Sequence, residues 1–266
     1  MLPQNNLDGL KSLRGLIIDM DGVLWHSDKP VPGLIRFFDV LRQKEIKFVL
    51  ATNNNTQTLQ GFVDKAARFG VEIKLGEVVN ASVATVDYLK AHYPAGSRVY
   101  VVGEPPLKAL ISQAGFELAD SNAAAVVATM DRQLTYDMLK TATLLIRAGA
   151  DFIGTNPDKS YPTSEGIVPG AGAVLASLTA STDQEPLIMG KPEKTIYEMS
   201  LKRMGVPGEQ VASLGDRLDT DIEGGIRCGL KSILVLSGVT NRAEAEASSI
   251  KPDWIFEDIN ELATYL

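Results

Sequence analysis

The stretch LIIDMDGVLW (Leu16–Trp25) is the starting point for predicting the fold. Its apolar part is typical of a short buried strand that ends at Asp19, and Asp21 follows two residues later. In open parallel sheets, ligands bind in the crevice beyond the carboxyl ends of the strands. Two carboxylates in such a crevice repel one another unless a cation offsets their charge. Asp residues also start turns and cap helices, so this stretch alone leaves both interpretations open.

Similar apolar runs alternate with amphipathic stretches of helix length along the rest of the chain. The runs that read as strands are Leu16–Asp19, Lys47–Thr52, Val99–Val102, Ala125–Thr129, Phe152–Thr155, Pro186–Met189, Val211–Gly215, Ser232–Leu236 and Trp254–Phe256. The clearest helical patterns are Leu34–Gln43, Leu59–Phe69, Leu134–Ala148, Thr195–Met204 and Asp219–Cys228. This alternation predicts parallel sheets covered by helices on both faces.

The polar residues that follow the strands suggest how the chain is divided. They are dense in the first and last parts of the chain and sparse in the middle. We therefore predict an α/β protein whose core, residues 1–82 and 188–266, is a Rossmann-like, doubly wound parallel sheet. Residues 83–187 form an inserted second α/β domain. The 139 positions from Thr52 to Lys191 have room for this insert, whereas the 33 from Asp19 to Thr52 do not.

The composition argues against several classes of protein. The 266 residues carry a formal net charge of −7, and no concentrated basic face suggests nucleic-acid binding. The single cysteine, Cys228, rules out an intrachain disulfide framework and a multi-cysteine zinc site. No apolar run reaches the roughly 18 residues of a membrane span. The N-terminal stretch lacks the apolar core of a signal peptide, so a cytoplasmic location is the default expectation.

The stretch GDRLDTD (Gly215–Asp221) adds further acidic groups after a strand. Asp216 follows an apolar run, and Asp221 lies five residues later in the same loop. If both meet Asp19 and Asp21, four acidic groups share a small volume and require a cation. Ligands that are all oxygen favour magnesium or calcium, and the lack of suitable Cys and His disfavours zinc.

Two other strand ends offer groups that bind anions. Thr52 and Asn53 can donate hydrogen bonds to phosphate oxygens, as can the N-terminus of the helix that follows. Lys191, in the stretch GKP, can place a positive charge in the same crevice. A polar turn and a solvated lysine are the alternatives for these two segments when each is considered separately.

The order D-x-D, T-N, K and G-D-x₄-D along the chain resembles the haloacid dehalogenase superfamily, and specifically its NagD/4-nitrophenyl phosphatase-like branch. The motifs that carry this resemblance are DMDGVLW (Asp19–Trp25), ATNNNT (Ala51–Thr56), GTNPD (Gly154–Asp158), GIVPGAG (Gly166–Gly172), MGKP (Met189–Pro192) and GDRLDTDI (Gly215–Ile222). Together they extend over nearly the whole chain.

The resemblance implies a magnesium-dependent phosphatase that transfers a phosphoryl group to an aspartate and then to water. By resemblance, Asp19 is the nucleophile and Asp21 is the general acid and base. Asp19, the backbone carbonyl of Asp21, and Asp216 would hold Mg²⁺. Asp221 would support these ligands without binding the metal directly.

The resemblance also assigns residues to the substrate. Thr52, Asn53 and Lys191 would hold the transferring phosphate. The inserted domain would be a cap that governs access, where Asn156 and Asp158 would contact the substrate. A simple turn around the intervening proline is the alternative for this last pair.

The expected substrate is a small phosphomonoester such as a nucleotide monophosphate, a sugar phosphate, phosphoglycolate or 4-nitrophenyl phosphate. Transfer to an acceptor other than water is a second enzymatic interpretation, and a non-catalytic phosphate sensor is a third. The expected partners are a small phosphorylated metabolite and a second copy of the chain bound through the cap, without nucleic acid or membrane. Trp25 and Trp254 are interpreted as packing residues, and so are the glycines of Gly170–Val174.

Overall fold

A computed structural model of the protein describes residue 7 and residues 9–163 and 165–266. Its strands are β1 (Gly15–Ile18), β2 (Trp25–His26), β3 (Lys29–Pro30), β4 (Lys47–Thr52), β5 (Val78–Asn80), β6 (Arg98–Val102), β7 (Glu117–Leu118), β8 (Ala125–Ala128), β9 (Asp151–Gly154), β10 (Ser160–Thr163), β11 (Gly166–Pro169), β12 (Leu187–Ile188), β13 (Val211–Gly215), β14 (Lys231–Val235) and β15 (Trp254–Phe256).

The strands alternate with helices, most of them short. The α-helices are α1 (Leu34–Gln43), α2 (Leu59–Arg68), α3 (Ala81–His92), α4 (Pro105–Gln113), α5 (Tyr136–Arg147), α6 (Ala171–Thr182), α7 (Lys194–Met204), α8 (Glu223–Arg227), α9 (Arg242–Ala247) and α10 (Ile259–Leu262). A π-helical turn at Leu218–Ile222 leads directly into α8. No helix in the described ranges is both long and apolar enough to cross a membrane.

The first compact unit combines the described part of Met1–Thr52 with Leu59–Val79 and Lys191–Leu266. Its six-stranded sheet has the order β15-β14-β13-β1-β4-β5, and the pairs from β15 to β4 are parallel. Every residue of β1 and β13 is buried. Burial along the whole strand is expected for a parallel sheet that is covered on both faces.

Amphipathic helices provide that cover. In α1 the buried side chains are Leu34, Phe37, Phe38 and Leu41, which recur with the spacing of one helical face. Phe38 meets Phe48 of β4 edge to face, with ring centroids 5.0 Å apart. Burying an apolar side chain of this size stabilises the fold by about 1.5–3 kcal/mol. A charged residue at position 38 would therefore weaken the packing of α1 against β4.

The second compact unit consists of Asn53–Thr58 and Asn80–Gly190. Its five-stranded sheet has the order β12-β9-β8-β6-β7, and all four pairs are parallel. Val126, Ile146 and Leu178 are fully buried in its apolar core. Strands β10 and β11 pair in antiparallel orientation.

The bounds of this unit follow from local hydrogen bonds. Asn55 Oδ1 accepts from the backbone N–H of Ser82, which ties the short segment 53–58 to α3. At the other end, the N–H groups of Met189 and Gly190 donate to the carbonyls of Gly154 and Thr155. The assignment of residues 83–187 to a cap and of 1–82 and 188–266 to a catalytic core stays a prediction.

The predicted α/β fold class is confirmed, with two parallel sheets and helices between the strands. Each predicted strand and helix is present, with bounds that shift by a residue or two in most cases. One difference concerns the predicted helix Asp219–Cys228, whose first part is the π-helical turn. The short strands β2, β3, β5, β7, β10 and β11 were not predicted.

Candidate active site

Three site residues lie at the carboxyl edge of the six-stranded sheet. Asp19 follows β1, Thr52 is the last residue of β4, and Asp216 follows β13. Because β1 pairs in parallel with both neighbours, these three strand ends are adjacent. The N–H of Asp19 donates to the carbonyl of Leu214 at 2.8 Å, which continues the strand pairing up to the site.

Asp19, Asp216 and Asp221 form what we call the acidic cluster. Each offers one carboxylate oxygen, and these oxygens all lie within 4.8 Å of one another. Asp216 and Asp221 are each 1% exposed, and Asp19 is 9% exposed. Segments almost 200 residues apart in the sequence therefore meet in one small buried volume.

Lys191 supplies the positive charge next to this cluster. Its Nζ donates to Oδ1 of Asp19 in a short hydrogen bond and to Oδ1 of Asp221 at 2.6 Å. The lysine side chain is only 4% exposed. The structure therefore brings Lys191 into the site, and the solvated lysine considered from the sequence is not what forms.

The cluster holds three carboxylates against one ammonium. Burial raises the pKa of Asp19 well above its usual value, since the opposing effect of Lys191 is smaller and Asp221 and Asp216 add repulsion. Burial and then Asp221 raise the pKa of Asp216 to about 7. Burial alone would lower the pKa of Lys191, but Asp19 and Asp221 outweigh it and raise that pKa. The three carboxylates of the cluster therefore carry more negative charge than the single ammonium of Lys191 can offset.

The Asp221 carboxylate is held at both oxygens. Oδ1 accepts from Lys191, and Oδ2 accepts from the backbone N–H of Arg217 at 3.1 Å. The buried hydroxyl of Tyr197 donates to the carbonyl of Asp221 at 3.1 Å and steadies the π-helical turn. Gly215 is needed beneath this turn, because a Cβ there would lie 2.1 Å from Cβ of Asp221.

Asp216 differs from Asp221 in one respect that bears on metal binding. Its Oδ2 accepts from the N–H of Val239 at 2.7 Å, whereas its Oδ1 is buried with no hydrogen-bond partner among the described residues. A buried carboxylate oxygen without a donor is costly unless a cation satisfies it. The donors are oxygen atoms alone, so the residues present fit a hard divalent cation such as Mg²⁺. The engaged oxygens of Asp221 favour a supporting role for that residue.

Asp21 is placed in different surroundings. Its Oδ1 accepts from the indole Nε1 of Trp25 at 3.0 Å, and the Nζ of Lys65 lies 3.9 Å from the same oxygen. Lys65 Nζ also lies 4.6 Å from the centroid of the Trp25 ring. Burial lowers the pKa of Lys65, although Asp21 opposes that shift. Lys65 was not predicted to be a site residue, although its position on the apolar face of α2, beside Phe62, was a detectable signal.

Asn53, Asn156 and Asp158 belong to the second unit and bond to one another. Asn156 donates from Nδ2 to the carbonyl of Asn53 at 3.0 Å and is itself 4% exposed. Asn53 Nδ2 donates to Oδ2 of Asp158 at 3.2 Å. The N–H of Asp158 donates to Oδ1 of Asn156, so the turn around the intervening proline does form. Substrate contacts of Asn156 and Asp158 remain a prediction.

The residues interpreted as packing groups are buried in close contacts. Trp25 and Trp254 are 1% and 4% exposed. A Cβ on Gly172 would lie 2.4 Å from the carbonyl oxygen of Pro157, so α6 packs closely on that turn. For Trp25, packing is only part of the account, since its indole also contacts Asp21.

Comparisons with known proteins agree with this geometry. The chain matches the haloacid dehalogenase-like hydrolase family over residues 16–117 and the HAD-hydrolase-like family over residues 188–262. It is 35% identical to a protein of Staphylococcus epidermidis named acid sugar phosphatase, with 94% of this chain and 97% of that protein covered.

Solved structures are similar over almost the whole chain. The 4-nitrophenylphosphatase of Thermotoga maritima matches with a TM-score of 0.92 and 35% identity, covering 96% of this chain and 98% of the other. A glycerol phosphate phosphatase of Mycobacterium tuberculosis, solved in complex with magnesium, matches with a TM-score of 0.87 and 28% identity, covering 94% of this chain and 76% of the other. These relatives and the buried acidic cluster lead to one conclusion: the chain belongs to the haloacid dehalogenase-like hydrolases and is a phosphatase of the NagD-like branch.

Proposed function

We propose that this phosphatase depends on magnesium and hydrolyses small phosphomonoesters through an aspartyl phosphate formed on Asp19. The observation that carries the proposal is the acidic cluster, in which Asp19, Asp216 and Asp221 converge while Oδ1 of Asp216 has no partner among the described residues. Such a site is short of one cation, and a phosphate ester needs the same compensation of negative charge.

The residues that would hold Mg²⁺ are Asp19, Asp216 and the backbone carbonyl of Asp21, with Asp221 fixing the surrounding loop. When bound, the ion neutralises charge on the phosphate oxygens and reduces their repulsion of the attacking carboxylate. Support comes from the oxygen-only donor set and from the magnesium complex of the mycobacterial relative.

In the first step, the carboxylate of Asp19 attacks phosphorus while the bond to the leaving oxygen breaks. Asp21, protonated at this stage, gives its proton to that oxygen, so the alcohol leaves neutral. Lys191 offsets charge on the phosphate oxygens and orients Asp19 through the hydrogen bond it donates. Thr52 and Asn53 are the further phosphate donors that the family resemblance assigns.

In the second step, Asp21 is a carboxylate and takes a proton from a water molecule. That water attacks the phosphorus of the aspartyl phosphate, inorganic phosphate leaves, and Asp19 is restored as a carboxylate. Asp21 is protonated again and ready for the next cycle. Acid and base catalysis of this kind contributes about 10²–10⁴-fold to the rate.

Phosphorylated sugars are the first substrates to assay. The name of the staphylococcal relative supports this class, and its similarity covers nearly the whole of both chains. The mycobacterial and Thermotoga relatives add glycerol phosphate and 4-nitrophenyl phosphate to the panel. Nucleotide monophosphates and phosphoglycolate complete it. The ranking of kcat/KM across the panel would identify the substrate class.

The proposal is tested with Asp19→Asn in a magnesium-containing 4-nitrophenyl phosphate assay. We expect turnover to be abolished, because an amide cannot act as the nucleophile. Asp219→Asn is the matched control, since Asp219 lies in the same loop as Asp216 but is exposed and bonds to Arg217. Full activity in Asp19→Asn would reject the mechanism.

A second measurement separates hydrolysis from the two alternatives. Acid-quenched enzyme is analysed by mass spectrometry for one added phosphoryl group on the peptide that contains Asp19. An added acceptor alcohol that collects the phosphoryl group in place of water would identify a phosphotransferase. Absence of both the adduct and turnover across the whole panel would favour a phosphate sensor.

A further inference from the structure

Asp21, Trp25 and Lys65 form a polar group within the first unit, which we call the Asp21 clamp. The indole N–H and the ammonium both approach Oδ1 of Asp21, at 3.0 Å and 3.9 Å. The ammonium also lies over the indole ring, so each member of the group contacts the other two. We propose that Trp25 and Lys65 are positioning residues that hold the Asp21 carboxylate for proton transfer, an inference that rests on the proposed acid–base role of Asp21.

Packing alone does not explain Lys65. It is 5% exposed and shares the buried face of α2 with Phe62 and Ala66. Burying an ammonium is costly unless it is paired, so an apolar residue would serve packing better. The charge becomes favourable here because the indole face and the Asp21 carboxylate both attract it. Asp21 remains half exposed, with 46% of its side chain accessible to solvent.

The two contacts also fix the orientation of the Asp21 carboxylate. Oδ1 accepts the indole N–H and faces the ammonium, so negative charge is stabilised on that atom. A proton on Oδ1 would compete with both interactions. With Oδ1 held in this way, the carboxyl group keeps one direction while Asp21 gives its proton to the leaving oxygen in the first step. In the second step the same carboxylate receives the proton of the attacking water.

A pair of substrates of nearly the same shape tests the inference. Phenol is a much weaker acid than 4-nitrophenol, so phenyl phosphate depends more on protonation of its leaving oxygen than 4-nitrophenyl phosphate does. The measured quantity is kcat/KM for 4-nitrophenyl phosphate divided by kcat/KM for phenyl phosphate. We expect this ratio to rise about tenfold in Trp25→Phe and in Lys65→Met, the effect of losing one hydrogen bond or charge contact.

Matched controls separate positioning from stability. Trp254→Phe removes the other buried indole of the first unit and should leave the ratio unchanged. Lys65→Arg retains the charge and should restore most of the ratio that Lys65→Met loses. A purely structural role would lower kcat/KM equally for both substrates. Lys65→Met also provides an independent variant if Trp25→Phe fails to fold.

The Asp21→Asn variant separates a failure of the proposed positioning role from a failure of the proposed acid role of Asp21. With Asp21→Asn present, adding Trp25→Phe should not change the ratio further, because the group that it positions is absent. If Asp21→Asn raises the ratio but neither Trp25→Phe nor Lys65→Met does, the positioning role is overturned and the acid role stands. If Asp21→Asn itself leaves the ratio unchanged, the proposed function fails and the positioning role with it.

Discussion

Gly238 lies so close to Asp216 that a Cβ built on the glycine would be 1.9 Å from Oδ2 of the carboxylate. Gly22 approaches the same oxygen from another loop, with a distance of 2.4 Å from its own Cβ position. The N–H of Val239 binds this oxygen as well. The backbone therefore confines one side of the Asp216 carboxylate, and the other oxygen, Oδ1, is left for a cation.

Gly238→Ala should weaken metal binding. The methyl group cannot fit beside Oδ2, so the Asp216 carboxylate must rotate or the loop must shift. We expect the magnesium concentration for half-maximal activity to rise about 10–100-fold, as it does when groups that orient metal ligands are altered. Gly76→Ala is the control, because the Cβ position of Gly76 has no neighbour within 4 Å. An unchanged magnesium requirement in Gly238→Ala would show that the backbone at Gly238 does not hold the Asp216 carboxylate in place.

Magnesium should stabilise the protein more at high pH than at low pH. The pKa of Asp216 is raised to about 7 in the fold, so protonated Asp216 favours the folded state. That contribution is complete below the unfolded pKa of about 3.9 and is lost as the pH rises through the folded value. In EDTA, the Tm should therefore fall between about pH 5 and about pH 8. Over the same range, the increase in Tm caused by added magnesium should become larger.

Asp216→Asn is the comparison for this experiment. The amide cannot titrate, so its Tm should lack this component of the pH dependence. The increase in the Tm of Asp216→Asn caused by magnesium should also be small at every pH. Thermal unfolding followed by circular dichroism measures both quantities without reference to turnover. Equal magnesium-induced shifts at both ends of the pH range would contradict the assignment of Asp216.

Lys191→Met should impair catalysis strongly. The ammonium contacts Asp19 and Asp221, so its removal leaves these two buried carboxylates without that partner. Removal of one group that stabilises transition-state charge costs about 10²–10³-fold in kcat. Lys194→Met is the matched control, since Lys194 lies three residues further on and is exposed. A kcat close to that of the unaltered protein would exclude Lys191 from charge stabilisation.

The strand ends could be predicted from the sequence because the apolar run and the polar site residue are neighbours in the chain. The run before Asp19 is apolar and is followed at once by carboxylates, so both strand and site residue can be identified together. The register that places Ile18 opposite Leu214 could not be predicted. Parallel neighbours are separated by long crossovers, and their pairing depends on the packing of the helices between them.

The contacts within the Asp21 clamp could not be predicted from the sequence, for a different reason. Trp25 was predicted to pack, which is correct, but its residue type does not reveal where the indole N–H points. Lys65 resembles any helical lysine unless its register with Phe62 and Ala66 is examined. Both roles depend on side-chain directions across two elements, and these are set only when α2 packs on the sheet.

Asn156→Ala tests whether the GTNPD segment supports structure or contacts substrate. The Asn156 amide is buried and donates to the carbonyl of Asn53, so its loss leaves that carbonyl without this donor. We expect the free energy of unfolding to fall by about 1–3 kcal/mol. Gln113→Ala, at an exposed position of α4, is the control and should change little. Denaturant unfolding measures the first effect, and KM for each phosphate ester is compared between Asn156→Ala and the unaltered protein. A raised KM with unchanged stability would support the predicted substrate contact, because a group that only supports Asn53 cannot be removed without weakening the fold.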